Sequence, residues 1–188
     1  MFQAASRGFL FCLLLTSLSG VSPAQSLVLD LPLQSQRAEI SQRIGITDIT
    51  IDYHRPLVND RKVWGGLVPY GQVWRAGANE ATTITTDTAV TVGGKSMPAG
   101  TYTLFTIPNA DKWTLIISKT TKNDKGGPLW GTNYAGEGQD LARTDMKVSS
   151  LPAPVENFTI ALDKVGNGAS LRMDWETTRA SVEISEAK

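Results

Sequence analysis

From residue 38 onward the chain alternates apolar and polar side chains with a period of two, in one short run after another. Ala38, Ile40, Ile44 and Ile46 share one parity, broken only by Gln42, and Ile49, Ile51 and Tyr53 repeat the pattern. Successive side chains of an extended backbone point to opposite faces, so this spacing specifies strands with one face buried. Runs rich in Thr, Val and aromatics follow at 82–86, 89–92, 101–107, 113–118, 147–149, 158–162, 171–175 and 180–184. The expectation is about eight to ten short strands. Gly93-Gly94 supplies the positive φ angles of a two-residue turn, which predicts a hairpin over 88–97, and Gly166-Asn167-Gly168 predicts a second. No segment carries a helical stripe over three turns, and only 60–70 and 138–143 have room for a short helix. Strands without intervening helices favour two packed antiparallel layers. The predicted fold is therefore all-β, an antiparallel β-sandwich with two long ordered loops, with a partly open β-barrel as the alternative.

The first residues have a different character. Arg7 precedes an apolar run, Gly8 to Leu15, and small residues follow up to Ser22-Pro23-Ala24. This is the pattern of an export signal, with cleavage expected after Ala24. The run is short for a membrane span, which takes about 20 mainly apolar residues. The expected organisation is a signal peptide at 1–24, an N-terminal lead-in at 25–37 that looks loose, and a single β-sandwich domain at 38–188 that frays from Ser185. The expected location is secreted or periplasmic, with no membrane span once the signal is removed. Cys12 is the only cysteine and leaves with the signal, so the mature domain holds neither disulfide nor thiolate ligand and must be stabilised by packing. Lys and Arg number 18, as do Asp and Glu. With neither sign in a long block, there is no footprint for nucleic acid or an anionic membrane surface. Nothing in the sequence specifies an oligomeric state.

The familiar catalytic and cofactor motifs are missing. Gly94-Lys95-Ser96 lacks the earlier glycine of a phosphate loop, having Ala89 there, and Met97-Pro98 blocks the helix that should follow. His54 is the sole histidine, which excludes a multi-histidine metal centre, and no Asp-rich loop has calcium-binding spacing. No metal and no cofactor are expected. His54 is read as a surface or strand-end residue ahead of a general base.

Two stretches break the strand rhythm, 55–81 and 119–141. Connections this long are usually functional or disordered, and the Trp and Tyr in both argue for order. The first holds the most informative cluster, Asp52-Tyr53-His54-Arg55-Pro56, Arg61 and Trp74-Arg75-Ala76-Gly77-Ala78-Asn79-Glu80. A guanidinium presents a planar fork that pairs with carboxylate or phosphate, so Arg55, Arg61 and Arg75, with Trp74, Asn79 and Glu80, form a candidate ligand site. The competing reading, which the sequence favours slightly, pairs the same arginines with Asp52 and Glu80 to fasten the loop to the sheet. If the protein is an enzyme, Glu80 and Asp52 are the candidate catalytic pair, acting as the two carboxylates of a glycosidase-type hydrolase. Among the five tryptophans, Trp113 and Trp175 belong to alternating strands and are assigned to the core. Trp64, Trp74 and Trp130 lie in or beside the loops, where plugging the sheet end is favoured over offering a ligand platform.

The segment 46–107, with TDITIDYHRP, RKVWGGLVPYGQVWRAGANEATTI and VGGKSMPAGTYTLFTIP, resembles the bacterial family catalogued as domain of unknown function 2911. The similarity extends over about 38–185, with KWTLIIS and LWGTNY in the weaker second half. Asp52, Arg55, Arg61, Arg75, Asn79, Glu80 and Thr82 occupy motif positions. The resemblance implies an exported bacterial protein and brings no activity, substrate or cofactor. Serine is common in the family at the position of His54, so the resemblance gives that histidine no general catalytic role. The expected function is non-catalytic binding of a small polar or anionic ligand, or an envelope-associated structural role. The alternatives are the hydrolase, acting on a glycan or other envelope polymer, and interaction through a sheet edge.

Overall fold

A computed structural model describes residues 32–187 apart from Thr132; the expected export signal and the first part of the lead-in lie outside these residues. Nine strands follow one another as β1 (Gln36–Ile44), β2 (Thr47–Arg55), β3 (Thr83–Thr86), β4 (Val90–Val92), β5 (Lys95–Met97), β6 (Gly100–Ile107), β7 (Lys112–Ser118), β8 (Asp140–Val165) and β9 (Gly168–Glu186). They form one antiparallel sheet in the order β1-β2-β3-β6-β7-β8-β9-β4-β5. The all-β antiparallel expectation holds, and the sheet does not close into a barrel: β1 and β5 remain its ends. Both predicted hairpins are present, β4–β5 over Gly93 (φ 54°) and Gly94 (φ 77°), and β8–β9 over Gly166 (φ 55°).

The structure departs from the sequence reading in three places. The runs at 147–149 and 158–162 are parts of one strand, β8, and those at 171–175 and 180–184 are parts of β9. Pro152 and Pro154 lack the N–H of a regular ladder, and the register shifts between Ser150 and Val155 and again before Thr159. The prolines therefore bend β8 at an irregular ladder rather than ending it. Neither short helix forms as expected: 60–70 is a series of turns entered through left-handed Asn59 and Asp60, and near 138–143 there is only a 3-10 turn at Glu137–Gln139 before β8 starts. The chain ends are also firmer than expected, since β1 begins inside the lead-in at Gln36 and Ser185 and Glu186 pair with β4.

The bend divides the duties of β8. Its first part, to Lys147, pairs with β7, and its remainder pairs with β9, so the C-terminal limb of the sheet returns across β2. Between the limbs lie Ile49, Ile51 and Tyr53 of β2 with Phe158, Ile160, Leu171 and Met173, each at most 3% exposed. Burying a side chain of this size contributes roughly 1.5–3 kcal/mol, so this core can hold the fold without a disulfide.

Among the described residues the outer edge of β8 beyond the bend has no neighbouring strand, and the end of β2 with the residues that follow it, 56–58, supplies its hydrogen bonds instead. Val58 N–H donates to Glu156 O at 3.0 Å and Phe158 N–H to Pro56 O at 2.9 Å. Arg55 Nε donates to Phe158 O at 3.1 Å, and Ile160 N–H donates to the Tyr53 hydroxyl at 3.1 Å. Buried backbone groups left unpaired are costly, and this seam removes that cost without a complete ladder.

Candidate functional site

The first long loop, 56–82, packs onto the sheet through its tryptophans. Trp64, 7% exposed, meets Trp113 edge-on at a centroid distance of 4.6 Å, while Trp74 stacks on Trp175 at 5.7 Å and meets Phe158 at 5.0 Å. Trp113 and Trp175 are core residues as expected, and Trp64 and Trp74 extend that core. Trp130 stays 48% exposed. Such pairs add roughly 0.5–1.5 kcal/mol each beyond the area they bury, which fastens the loop to the core.

Above this layer lies a cavity of about 440 Å³. Its polar wall is the turn at 75–79, where the chain takes an unusual path: Ala76 (φ 49°) and Asn79 (φ 53°) both have left-handed backbones. Left-handed conformations are costly for residues with a Cβ and persist only where the surroundings enforce them. Two contacts enforce this one. Buried Thr82 donates from Oγ1 to Ala76 O at 2.8 Å, and a Cβ on Gly77 would come within 2.9 Å of His54 O, so only glycine lets the turn sit this close to β2. Asn79 Nδ2 donates to Ser35 O, which makes the lead-in residues Gln34 and Ser35 a further wall. The second long loop contributes Gly131 and Tyr134. Gly131 matters by its size: a Cβ there would lie 2.2 Å from Arg75 Cδ, so the arginine stem runs directly over it.

The electrostatics of the cavity are one-sided. Arg61 and Arg75 line it, and among the described residues no acidic side chain does. Half-buried Arg75 donates from Nη1 to Asn79 O at 3.2 Å and has no carboxylate partner among the described residues. Burial alone lowers its pKa from the usual guanidinium range. A guanidinium still does not deprotonate near neutrality, so Arg75 carries a partly desolvated charge that an incoming anion would neutralise. Arg61 is exposed at the rim and donates from Nε to Val58 O at 2.9 Å and from Nη2 to Leu57 O at 2.6 Å.

Asp52 and Glu80 face a different cleft, of about 340 Å³, together with His54 and Arg37. Arg37 Nε donates to both oxygens of Asp52, at 2.9 and 3.0 Å, and its Nη2 also binds Oδ2. This hydrogen bonding raises the Arg37 pKa further above its ordinary range. Glu80 Oε2 lies 3.3 Å from Nε2 of the buried His54, with no hydrogen bond between them. Among the described residues no group of three or more His, Cys, Asp or Glu side chains is arranged to hold a metal ion, and no helix is long and apolar enough to cross a membrane.

Residues 35–184 match the family model described as protein of unknown function, DUF2911. The chain belongs to this family. No curated protein and no solved structure matches it.

In this DUF2911 chain the sequence-predicted cluster separates into three places. Trp74, Arg75, Asn79 and Arg61 line the cavity, Glu80 and Asp52 line the second cleft, and Arg55 belongs to the seam, with its Nη2 on Thr159 Oγ1 at 2.8 Å. The ion-pair network between the three arginines and the two carboxylates does not form, because each arginine is closer to backbone or hydroxyl acceptors and Asp52 and Glu80 meet Arg37 and His54 instead. His54 is buried rather than on the surface. Gln34, Ser35, Gly131 and Tyr134 were not singled out by sequence reasoning. Only the aromatic content of the second long loop pointed towards Tyr134, and an extended lead-in carries no local sign of what it will touch.

Proposed function

We propose that this DUF2911 protein is an exported, non-catalytic binding protein whose cavity takes up a small anionic ligand. The observation that carries the reading is Arg75, half-buried at the cavity wall with one backbone hydrogen bond and no counter-ion among the described residues. The strained turn that presents it supports the same reading, since sparsely populated backbone conformations cluster at ligand sites. A cavity of about 440 Å³ is the right size for a small molecule. Export is supported by the leader-like residues 1–24; N-terminal sequencing of protein recovered outside the cytoplasm should begin at Gln25. Binding is tested by thermal shift with a panel of small anions at constant ionic strength, comparing wild type with Arg75→Gln. Selective stabilisation of the wild type is expected, and identical responses in the two proteins would remove the cavity from consideration.

A hydrolase is the second reading, favoured by Asp52 and Glu80 walling one cleft. Arg37 already occupies both oxygens of Asp52 on one side, so Glu80 would have to do most of the proton transfer. Glu80→Gln should then abolish hydrolysis of envelope glycan fragments at unchanged melting temperature, and turnover that survives the substitution rejects the assignment.

A further inference from the structure

The way the cavity's hydrogen-bonding groups are already used narrows the ligand class, an inference that rests on the anion-binding reading above. Arg75 bonds through Nη1 alone, which leaves Nε and Nη2 without a bond among the described residues. These two nitrogens form the side-on edge of a guanidinium, whose paired N–H groups match the two oxygens of a planar carboxylate. Arg61 has spent the equivalent edge, Nε and Nη2, on the carbonyls of Val58 and Leu57. It adds positive charge at the rim but offers no second fork. One free fork suits one carboxylate, whereas a polyphosphate would call for several cationic or N–H groups converging on it.

Besides the two arginines, the lining has a polar part with Gln34, Ser35, Asn59 and Asn79, and another part formed by aromatic and aliphatic side chains. Trp175 Nε1–H is consumed by Glu156 O at 3.1 Å, so its indole offers the cavity only carbon surface. The Tyr134 hydroxyl is engaged by Asp140 at 2.8 Å and by Arg143 at 2.7 Å. Trp74, Val68 and Leu57 continue the apolar side, and Leu67 and Val73 at its border remain 45% and 38% exposed. A sugar laid on this aromatic and aliphatic part would turn several hydroxyls towards carbon surface, and burying them unpaired is costly. An apolar body gains from the same surface, and from covering Leu67 and Val73.

We infer that the cavity binds a monocarboxylate with an apolar, ring-sized body, the carboxylate on the free edge of Arg75 and the body against Trp74, Trp175, Leu67 and Val73. Titration calorimetry with the purified protein tests this using phenylacetate, acetate, 2-phenylethanol and phenyl phosphate as ligands. Phenylacetate is expected to bind at least about tenfold more tightly than acetate, which lacks the body, and than 2-phenylethanol, which lacks the charge; tenfold corresponds to about 1.4 kcal/mol. Arg75→Lys keeps the charge and removes the fork, and should weaken phenylacetate by a similar factor with an unchanged circular dichroism spectrum. Val73→Asp, at an exposed border position, should weaken it by charge repulsion, and carries the test if the Arg75 variant fails to fold. Tighter binding of phenyl phosphate than of phenylacetate, in an Arg75-dependent manner, would overturn the carboxylate assignment and leave the anion-binding reading standing. Equal binding of 2-phenylethanol and phenylacetate, or an undiminished affinity in Arg75→Lys, would overturn it as well. Failure of every anion to bind would sink both.

Discussion

Removing one oxygen from Tyr53 should measure what the seam between β2 and β8 contributes. The Tyr53 hydroxyl accepts from Ile160 N–H at 3.1 Å and faces Ile160 O at 3.4 Å, and both residues are almost fully buried, at 3% and 1% exposure. Tyr53→Phe keeps the ring, and with it the edge-on contact to Phe158 at 6.0 Å, so the loss is confined to the hydroxyl. The Ile160 amide is left without a partner where water does not readily reach, which costs about 1–3 kcal/mol. In a domain of this size each kcal/mol lowers the melting temperature by about 2–4 °C, so a fall of about 2–12 °C is expected. Calorimetry reads the fall directly, and hydrogen exchange should show the Ile160 amide losing protection ahead of its neighbours on β9. An unchanged melting temperature with unchanged exchange at Ile160 would refute the claim that side chains of β2 substitute for the missing strand.

Three further outcomes follow from particular contacts. Gly131→Ala places a methyl group 2.2 Å from Arg75 Cδ, so the arginine must move; a loss of about 1–3 kcal/mol in denaturant stability and loss of the anion-dependent thermal shift are expected. Asp174 is buried between Arg172 and Arg179. Asp174→Asn should cost towards the lower end of the ~3–5 kcal/mol typical of breaking a buried pair, because both arginines keep some access to water; urea unfolding checks it. Tyr134 has its pKa raised, first by burial and then by its hydrogen bond to Asp140. The fold holds this proton more tightly than the unfolded chain, so the contribution is intact below about pH 10 and is lost as pH rises through the folded value. Urea midpoints should therefore fall more steeply above about pH 10 in wild type than in Tyr134→Phe, and parallel curves would reject the assignment.

Much of the sheet was legible in local patterns. The period of two located β2, β3, β6 and β7 to within a residue or two, and the Gly-Gly and Gly-Asn-Gly turns fixed both hairpins, because these features depend only on a residue and its immediate neighbours. The continuity of β8 was not legible: its runs at 147–149 and 158–162 count as separate strands in the sequence, with Pro152 and Pro154 between them. Whether proline ends a strand or bends it depends on what pairs beyond it, here β9.

The candidate site divides along the same line. Residue chemistry alone marked out Trp74, Arg75 and Asn79, since few side chains combine a planar cation, an amide and an indole within six positions. Which partner each group would meet was open, because Arg55, Arg61 and Arg75 are alike in sequence and differ only in what lies at the end of the side chain: a strand edge, a pair of loop carbonyls or a cavity. Local sequence thus determined the strands, the turns and the supply of charged and aromatic groups. Tertiary structure decided the bend of β8, the separation of Glu80 from Arg75, and the isolation of one guanidinium from the carboxylates of the described residues, because Coulomb attraction and burial depend on distances between segments far apart in the chain.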